Sequence, residues 1–362
     1  MRINELTTFR FIAAAIVVIF HFGKEATGFS GILVAGPEMV TFFFVLSGFV
    51  LGVSYFNKDM KKLRFWWERA ARITPMYFIG LLMMILLSII QGREIDPLAV
   101  VLNFSFLQSW IYPYSLSVNP PGWSLSVEAF FYLLFPFIFY IFKIYNLSNV
   151  KVVVLSATTW MLTQIILIVV LTKEVDPDSL LHHLVYYFPI SHYCSFLMGV
   201  SGAVLLINKR YLILNNMLSI VLVFSIIYLV VFSINNRAQL SNLIGMNLAF
   251  GSSFFSPLFL VLIMGVSICR SNVMKILSLR PLVLLGEASF SIYILQVPLH
   301  EIYVAHISGQ FSFPPAVDFA AYFCFLTAIS IVCFLCIEKP ANKYLRYSFP
   351  GLIRKRLFSK AS

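Results

Sequence analysis

The stretch Thr7–Gly23 reads TTFRFIAAAIVVIFHFG, and its reading decides the fold. It is long and apolar enough to cross a bilayer, yet it carries Arg10 near its start and His21 near its end. Apolar runs of roughly 17–25 residues, the length that hydrocarbon thickness demands, recur along the whole 362-residue chain. The chain is 60% hydrophobic and 11% charged, with a mean hydropathy of +0.90. A soluble domain is about 45–50% apolar and about 25% charged, so the composition excludes one. Inside a bilayer each backbone polar group must be satisfied within its own segment, and the runs are too long and continuous for barrel strands. The expectation is an all-α polytopic membrane protein.

Ten spans are expected, at about 7–22, 34–56, 74–90, 123–142, 152–171, 184–207, 212–233, 243–268, 282–305 and 316–337. The first is read as a retained span, because no small-x-small cleavage site follows it and further spans come after. No internal repeat supports an inverted-repeat transporter. With the N-terminus inside, 21 Lys and Arg residues fall in inner segments and 4 in outer ones, Lys24, Arg93, Lys173 and Arg237. Such asymmetry orients a chain. Both termini are therefore expected on the cytoplasmic side, with residues 1–340 as a membrane-embedded domain and 341–362 as a basic cytoplasmic tail. The net charge of +11 reflects this inner bias meeting anionic headgroups and gives no reason to invoke nucleic acid. Residues 91–122 are too short and polar to span twice, and read as an interfacial or re-entrant segment capping a cavity.

An ionisable residue in a membrane helix requires a partner, water or a function. Arg10 and His21 stand eleven residues apart, three turns and about 16 Å along an ideal helix, on nearly one face. Snorkelling to inner phosphates is the plain alternative for Arg10, and packing for His21. In WSLSVEAFFY (Trp123–Tyr132), Ser124, Glu128 and Tyr132 share a helical face. Glu128 lies about 8 Å below the outer boundary, a depth similar to His21, and a carboxylate beside an imidazole fixes its tautomer, as for a general base. Pairing with another buried donor is the structural alternative. Arg69 and Arg72, at i and i+3 before the third span, suit bidentate phosphate contacts, against the alternative of a solvated basic loop. Glu287 reads as the partner of an inner arginine. Cys333 and Cys336 form C-x-x-C without a second ligand pair and read as packing residues. His182, His183 and His192 lack metal spacing, so no metal is assigned. Gly199 and Gly202 read as helix-packing positions.

Seven motifs then occur in order: R-x10-H (Arg10, His21), TFFFVLSGF (Thr41–Phe49), R-x-x-R-I-x-P-x-Y (Arg69–Tyr77), WSLSVE-x-x-FYLLFP (Trp123–Pro136), SFLMG (Ser195–Gly199), GEASFSIYIL (Gly286–Leu295) and EKP (Glu338–Pro340). Together they resemble the integral-membrane acyltransferase 3 family, bacterial O-acyltransferases of surface polysaccharides. The resemblance implies a ten-helix domain of the bacterial cytoplasmic (inner) membrane that moves an acyl group, most often acetyl from acetyl-CoA, to a hydroxyl. O-antigen and exopolysaccharide are among the family's acceptors. No permanently bound cofactor is implied; acyl-CoA is the donor substrate, and the partners are a glycan or lipid-linked glycan and membrane lipids. On this reading Arg69 and Arg72 hold the donor's phosphates with Arg10 contributing, His21 oriented by Glu128 is the base, and Trp123 and Tyr132 line the sugar path. An acyl-histidine relay stays open. So do two other functions, a transporter or flippase of a lipid-linked sugar, and acylation of a small secondary metabolite. One position departs from the pattern: many relatives carry histidine after the Y-x-L of the ninth span, where this chain has Gln296.

Overall fold

A computed structural model describes residues 3–56, 60–144, 149–171, 176–208, 216–269, 271–310 and 313–358. Of the cations in the orientation argument, Arg2, Lys58, Lys173, Lys209, Arg210, Arg270 and Lys360 lie outside the described residues, as do positions 359–362 of the basic tail. The main helices in chain order begin with α1 (Asn4–Val18), prolonged by a π turn (Ile19–Gly23), α2 (Gly36–Tyr55), α3 (Lys62–Ile90), the short α4 (Pro97–Phe104), α5 (Trp123–Ile144) and α6 (Asn149–Leu171). They continue with α7 (Leu180–Tyr186), α8 (Pro189–Asn208), α9 (Asn216–Asn235), α10 (Arg237–Ile244), α11 (Ser256–Ile268), α12 (Arg280–His306), α13 (Pro315–Cys333), a second π turn (Phe334–Glu338) and α14 (Lys339–Phe358). Among the described residues no strand occurs, and nine helices are long and apolar enough to cross a membrane. The protein is an all-α, multi-pass membrane protein.

The eighth expected span, 243–268, is corrected. Only Ser256–Ile268 is regular helix there, and it is shorter than a full crossing. The chain breaks over Gly245–Phe255, where Ser253 takes φ +64° and a proline reopens the helix at its N-terminus. Apolar composition hides this break from a hydropathy reading. Irregular backbone survives at such depth only when protein groups replace the missing ladder, and here they do. Trp160 Nε1 donates to the Ser253 carbonyl at 2.9 Å, and Gln164 Nε2 to that of Ser252 at 3.1 Å. The Ser253 amide donates to Thr41 Oγ1 at 3.3 Å.

Residues 91–119 hold the short α4 and no helix long enough to span. Asp96 caps α4 by accepting the Leu98 amide at 2.8 Å, and the following segment is drawn into the bundle by buried polar groups. Gln108 Nε2 donates to Tyr77 Oη and to the Gly122 carbonyl, Tyr77 Oη donates to the Asn103 carbonyl, and Asn119 Nδ2 reaches the Ile294 carbonyl of α12.

Two close helix pairs frame the interior. The parallel pair α2/α8 meets at Gly48 and Gly199, where an added Cβ would stand 2.1 Å from the Phe196 carbonyl oxygen and 2.0 Å from that of Val45, respectively. The parallel pair α1/α12 meets at Gly286, whose added Cβ would lie 1.9 Å from the Thr7 carbonyl oxygen. With lipid on the outside, such packing depends on small residues that let backbones approach. The third span begins earlier than expected, since α3 is continuous from Lys62, so Arg69 and Arg72 sit on rigid helix rather than loop. The 340/341 boundary falls inside α14, and Trp67 Nε1 ties that helix to α3 through the Leu345 carbonyl at 2.6 Å.

Gly48→Ala is expected to force α2 and α8 apart and to destabilise the protein by about 1–3 kcal/mol, the usual range for overpacking. Gly309→Ala, with open space around it, is expected to leave stability unchanged. Thermal unfolding in detergent, followed by thiol-reactive dye, checks both.

Candidate active site

Charged residues from α1, α3, α5 and α14 line a common cavity of about 540 Å³. Arg10 enters it from α1, Arg69 and Arg72 from α3, Glu128 and Tyr132 from α5, and Arg346 from α14. Four guanidiniums thus face one carboxylate. The rest of the wall is mostly apolar, with Val40, Phe43, Phe44 and Leu46 of α2 and Phe290 of α12, and it extends to Ser124 and Tyr293, whose hydroxyls are 2.9 Å apart.

Glu128 is fixed from two sides. Ser47 Oγ donates to its Oε1 at 3.2 Å, and Tyr132 Oη, one turn on along α5, donates to the same oxygen. Its charge also acts on Arg10. Arg69 lies with its guanidinium carbon 5.8 Å from the Phe65 ring centre and 5.9 Å from that of Tyr132, within cation–π range. Its Nε is buried and finds no acceptor among the described residues. Trp66 Nε1 donates to the Tyr132 carbonyl at 3.1 Å and locks α3 to α5 at this level.

Arg10, Arg72 and Thr7 also border a second, polar cavity of about 290 Å³, together with Glu287, Glu338, Lys339 and Asn342. Glu338 closes the second π turn and accepts from Ser291 Oγ of α12 at 2.8 Å. The two arginines therefore stand between Glu128 on one side and Glu287 and Glu338 on the other. Glu287 lines the same small cavity as Arg10 and Arg72.

His21 occupies the π turn after α1, a wide turn of a kind frequent at functional sites. The expected orientation of His21 by Glu128 is corrected here. His21 Nδ1 lies 2.9 Å from Gln296 Oε1 of α12, whereas Glu128 takes Ser47 and Tyr132. Similar depth did not bring the two residues together, because α12 is the neighbour that packs along α1. His21 is exposed, with Phe20 and Phe22 beside it and His300 stacked on Phe22 at 4.0 Å.

Trp123 is placed away from the cavity wall, among Phe44, Tyr187 and His192. Tyr132 does line the cavity, but at the arginine end, beside Arg69 and Glu128. The structure thus unites Arg10, Arg69, Arg72, Glu128 and Tyr132, and leaves His21 and Trp123 outside that group. Sequence reasoning missed Arg346, Ser47 and Glu338 as site residues. All three were legible in principle: Ser47 sits inside the VLSG motif, Glu338 opens the EKP motif, and Arg346 lies about two turns beyond it. His183 Nδ1 is engaged by Ser115 Oγ at 2.7 Å and His192 Nε2 by the Tyr186 carbonyl at 3.0 Å. Among the described residues no group of three or more His, Cys, Asp or Glu could hold a metal ion.

A membrane-embedded basic cavity, with an exposed histidine at the far end of the same helix, suits group transfer from an anionic donor. The acyltransferase 3 family model, an acyltransferase domain, matches residues 3–338. The chain belongs to this family. The acyltransferase MdmB of Streptomyces mycarofaciens is 33% identical over 153 residues, a match covering 38% of this chain and 39% of that relative. The chain thus spans about two fifths of the relative's length. No solved structure matches the chain. The chain is a multi-pass membrane member of this family, and its motif residues Arg10, Arg69, Arg72 and Glu128 are those around the large cavity.

Glu128→Gln is expected to keep the shape but lose the charge that faces the arginines, lowering acyl transfer about 100-fold or more, as loss of a buried ionic partner does. Tyr132→Phe removes one hydrogen bond and is expected to cost about 1 kcal/mol of stability. Transfer of radiolabelled acyl groups and thermal unfolding measure the two effects.

Proposed function

We propose that this acyltransferase moves an acyl group, acetyl in the simplest case, from acyl-CoA to a hydroxyl of a surface glycan such as an O-antigen or exopolysaccharide, in the bacterial cytoplasmic membrane. The observation that carries the donor half is the set of four guanidiniums, Arg10, Arg69, Arg72 and Arg346, facing one cavity with a single carboxylate. Coenzyme A ends in a diphosphate and a 3′-phosphate, which planar guanidinium forks bind bidentately. Its pantetheine arm is slender and mostly uncharged, and suits the Phe43, Phe44 and Phe290 wall that leads away from the arginines. The cavity volume falls in the range of ligand sites, about 300–1,000 Å³.

The acceptor half rests on His21. It stands about 16 Å from Arg10 by helical rise, exposed and flanked by aromatic faces that suit a polyhydroxylated ring. The charge bias along the chain puts the arginines on the cytoplasmic side, where acyl-CoA is made, and His21 on the opposite side, where the glycan is. In the reaction His21 takes the proton of the acceptor hydroxyl as its oxygen bonds to the thioester carbonyl carbon. The carbon–sulfur bond then breaks, and the leaving thiolate recovers the proton from His21. General-base help of this kind contributes about 10²–10⁴-fold. Glu128 acts through Arg10 rather than through His21.

Membranes containing the protein are expected to transfer label from [14C]acetyl-CoA to extractable glycan, with His21→Ala abolishing transfer. Arg69→Ala, Arg72→Ala and Arg346→Ala are each expected to raise KM for the donor about 10-fold, equivalent to about 1.4 kcal/mol of a charge-assisted contact. Glycan carried across the membrane without an added acetyl mass, or full transfer by His21→Ala, would sink this reading.

A further inference from the structure

Gln296 is buried completely, sits in α12 and is bound at three points. Its side-chain Nε2 donates to the Tyr293 carbonyl at 2.8 Å, one turn back in the same helix. Its backbone carbonyl accepts from Tyr322 Oη of α13 at 2.7 Å. Its Oε1 meets His21 Nδ1 at 2.9 Å. An amide has one donor end and one acceptor end. With Nε2 committed to a carbonyl, which can only accept, the end left for His21 is the oxygen, and the nitrogen facing an oxygen acceptor must carry the proton. His21 is therefore held as the Nδ1–H tautomer, and its Nε2 keeps the lone pair.

We propose that Gln296 is a positioning residue that fixes the His21 tautomer, so that Nε2 is the nitrogen that takes the acceptor's proton. The proposal rests on the reading of His21 as base. It adds which nitrogen reacts and what holds it so. The partner is neutral, unlike the carboxylate that the sequence suggested. An amide orients the ring as firmly by geometry, while placing no second charge in the membrane beside it. The support is itself anchored, since Tyr322 holds the Gln296 backbone and the Tyr293 carbonyl holds the amide. A turn of α12 and a contact from α13 thereby set the direction of one hydrogen bond on α1.

The chemistry of position 296 separates this role from mere packing. A positioning acceptor is replaceable by another acceptor, whereas a packing residue is replaceable by an apolar side chain of equal length. Gln296→Glu is therefore expected to retain transfer within about 10-fold. Gln296→Met is expected to lose about 100-fold in kcat with the KM for acetyl-CoA unchanged, a loss within the range that general-base catalysis supplies. The direct readout is 15N spectroscopy of the full-length protein labelled at histidine, with the His21 signals assigned by difference from His21→Ala. Wild type is expected to show a protonated Nδ1 and an unprotonated Nε2, and Gln296→Met a mixture of tautomers.

Two results overturn the proposal. One is an unchanged His21 tautomer in Gln296→Met. The other is full activity of Gln296→Met with Gln296→Glu inactive, which would mark a packing role. Failure of the underlying reading looks different. His21→Ala then retains transfer while the tautomer still depends on residue 296, so that the hydrogen bond stands and the assignment of His21 as base falls.

Discussion

A guanidinium carried into a membrane helix is the constraint on which this structure turns. Arg10 cannot be left facing hydrocarbon, where a bare charge costs several kcal/mol, and the fold supplies counter-charge from two directions. Glu128 of α5 acts on it from the large cavity and Glu338 from the small one. Each of these acids is in turn held by hydroxyls, Glu128 by Ser47 and Tyr132, and Glu338 by Ser291. Arg69, Arg72 and Arg346 add positive charge beyond what Glu128 can balance within the large cavity. A site left electropositive at low dielectric is strongly attractive to a polyanion, so compensating one buried residue leaves behind a basic cavity.

Helix packing decides which residues can take part in that arrangement. Gly286 brings α12 against α1, and so puts Ser291 near Glu338 at one level and Gln296 beside His21 at another. Gly48 and Gly199 lock α2 to α8, which holds Ser47 on Glu128. The irregular segments are secured by the same economy of polar side chains. Trp160 and Gln164 serve the broken eighth span, and Gln108 and Asn119 the segment before α5. These buried amides and indoles let the chain depart from helix at depth without orphaned backbone groups.

Much of this was legible in the sequence. Membrane class and nine of the spans follow from composition and run length. That Arg10, Arg69 and Arg72 share a cavity follows from motif residues whose charge demands company in lipid, but Glu128 was expected at the depth of His21 and joins the arginines instead. The pairing of His21 was not legible, because depth along a helix says nothing of azimuth or of which helix lies alongside. The wide turn at Ile19–Gly23 further shifts the face that an ideal period assigns to His21. The broken span was hidden because hydropathy averages over side chains, whereas the break is a backbone event marked only by Gly245, Gly251 and Pro257. Trp123 was drawn to the sugar path by its chemistry, yet its ring is claimed by Phe44, Tyr187 and His192.

The short α11 is tolerated because of where it sits in the bundle. Thirteen residues of regular helix rise about 20 Å, against a hydrocarbon thickness of about 30 Å. The missing length is covered by folded backbone that turns inward to Trp160 and Gln164 rather than outward to acyl chains. Of the thirteen residues of α11 only Val261 is exposed, so it is the bundle and not the bilayer that lies against this shorter wall. The break is thus shielded by neighbouring helices, and the full-length spans carry the outer hydrophobic surface.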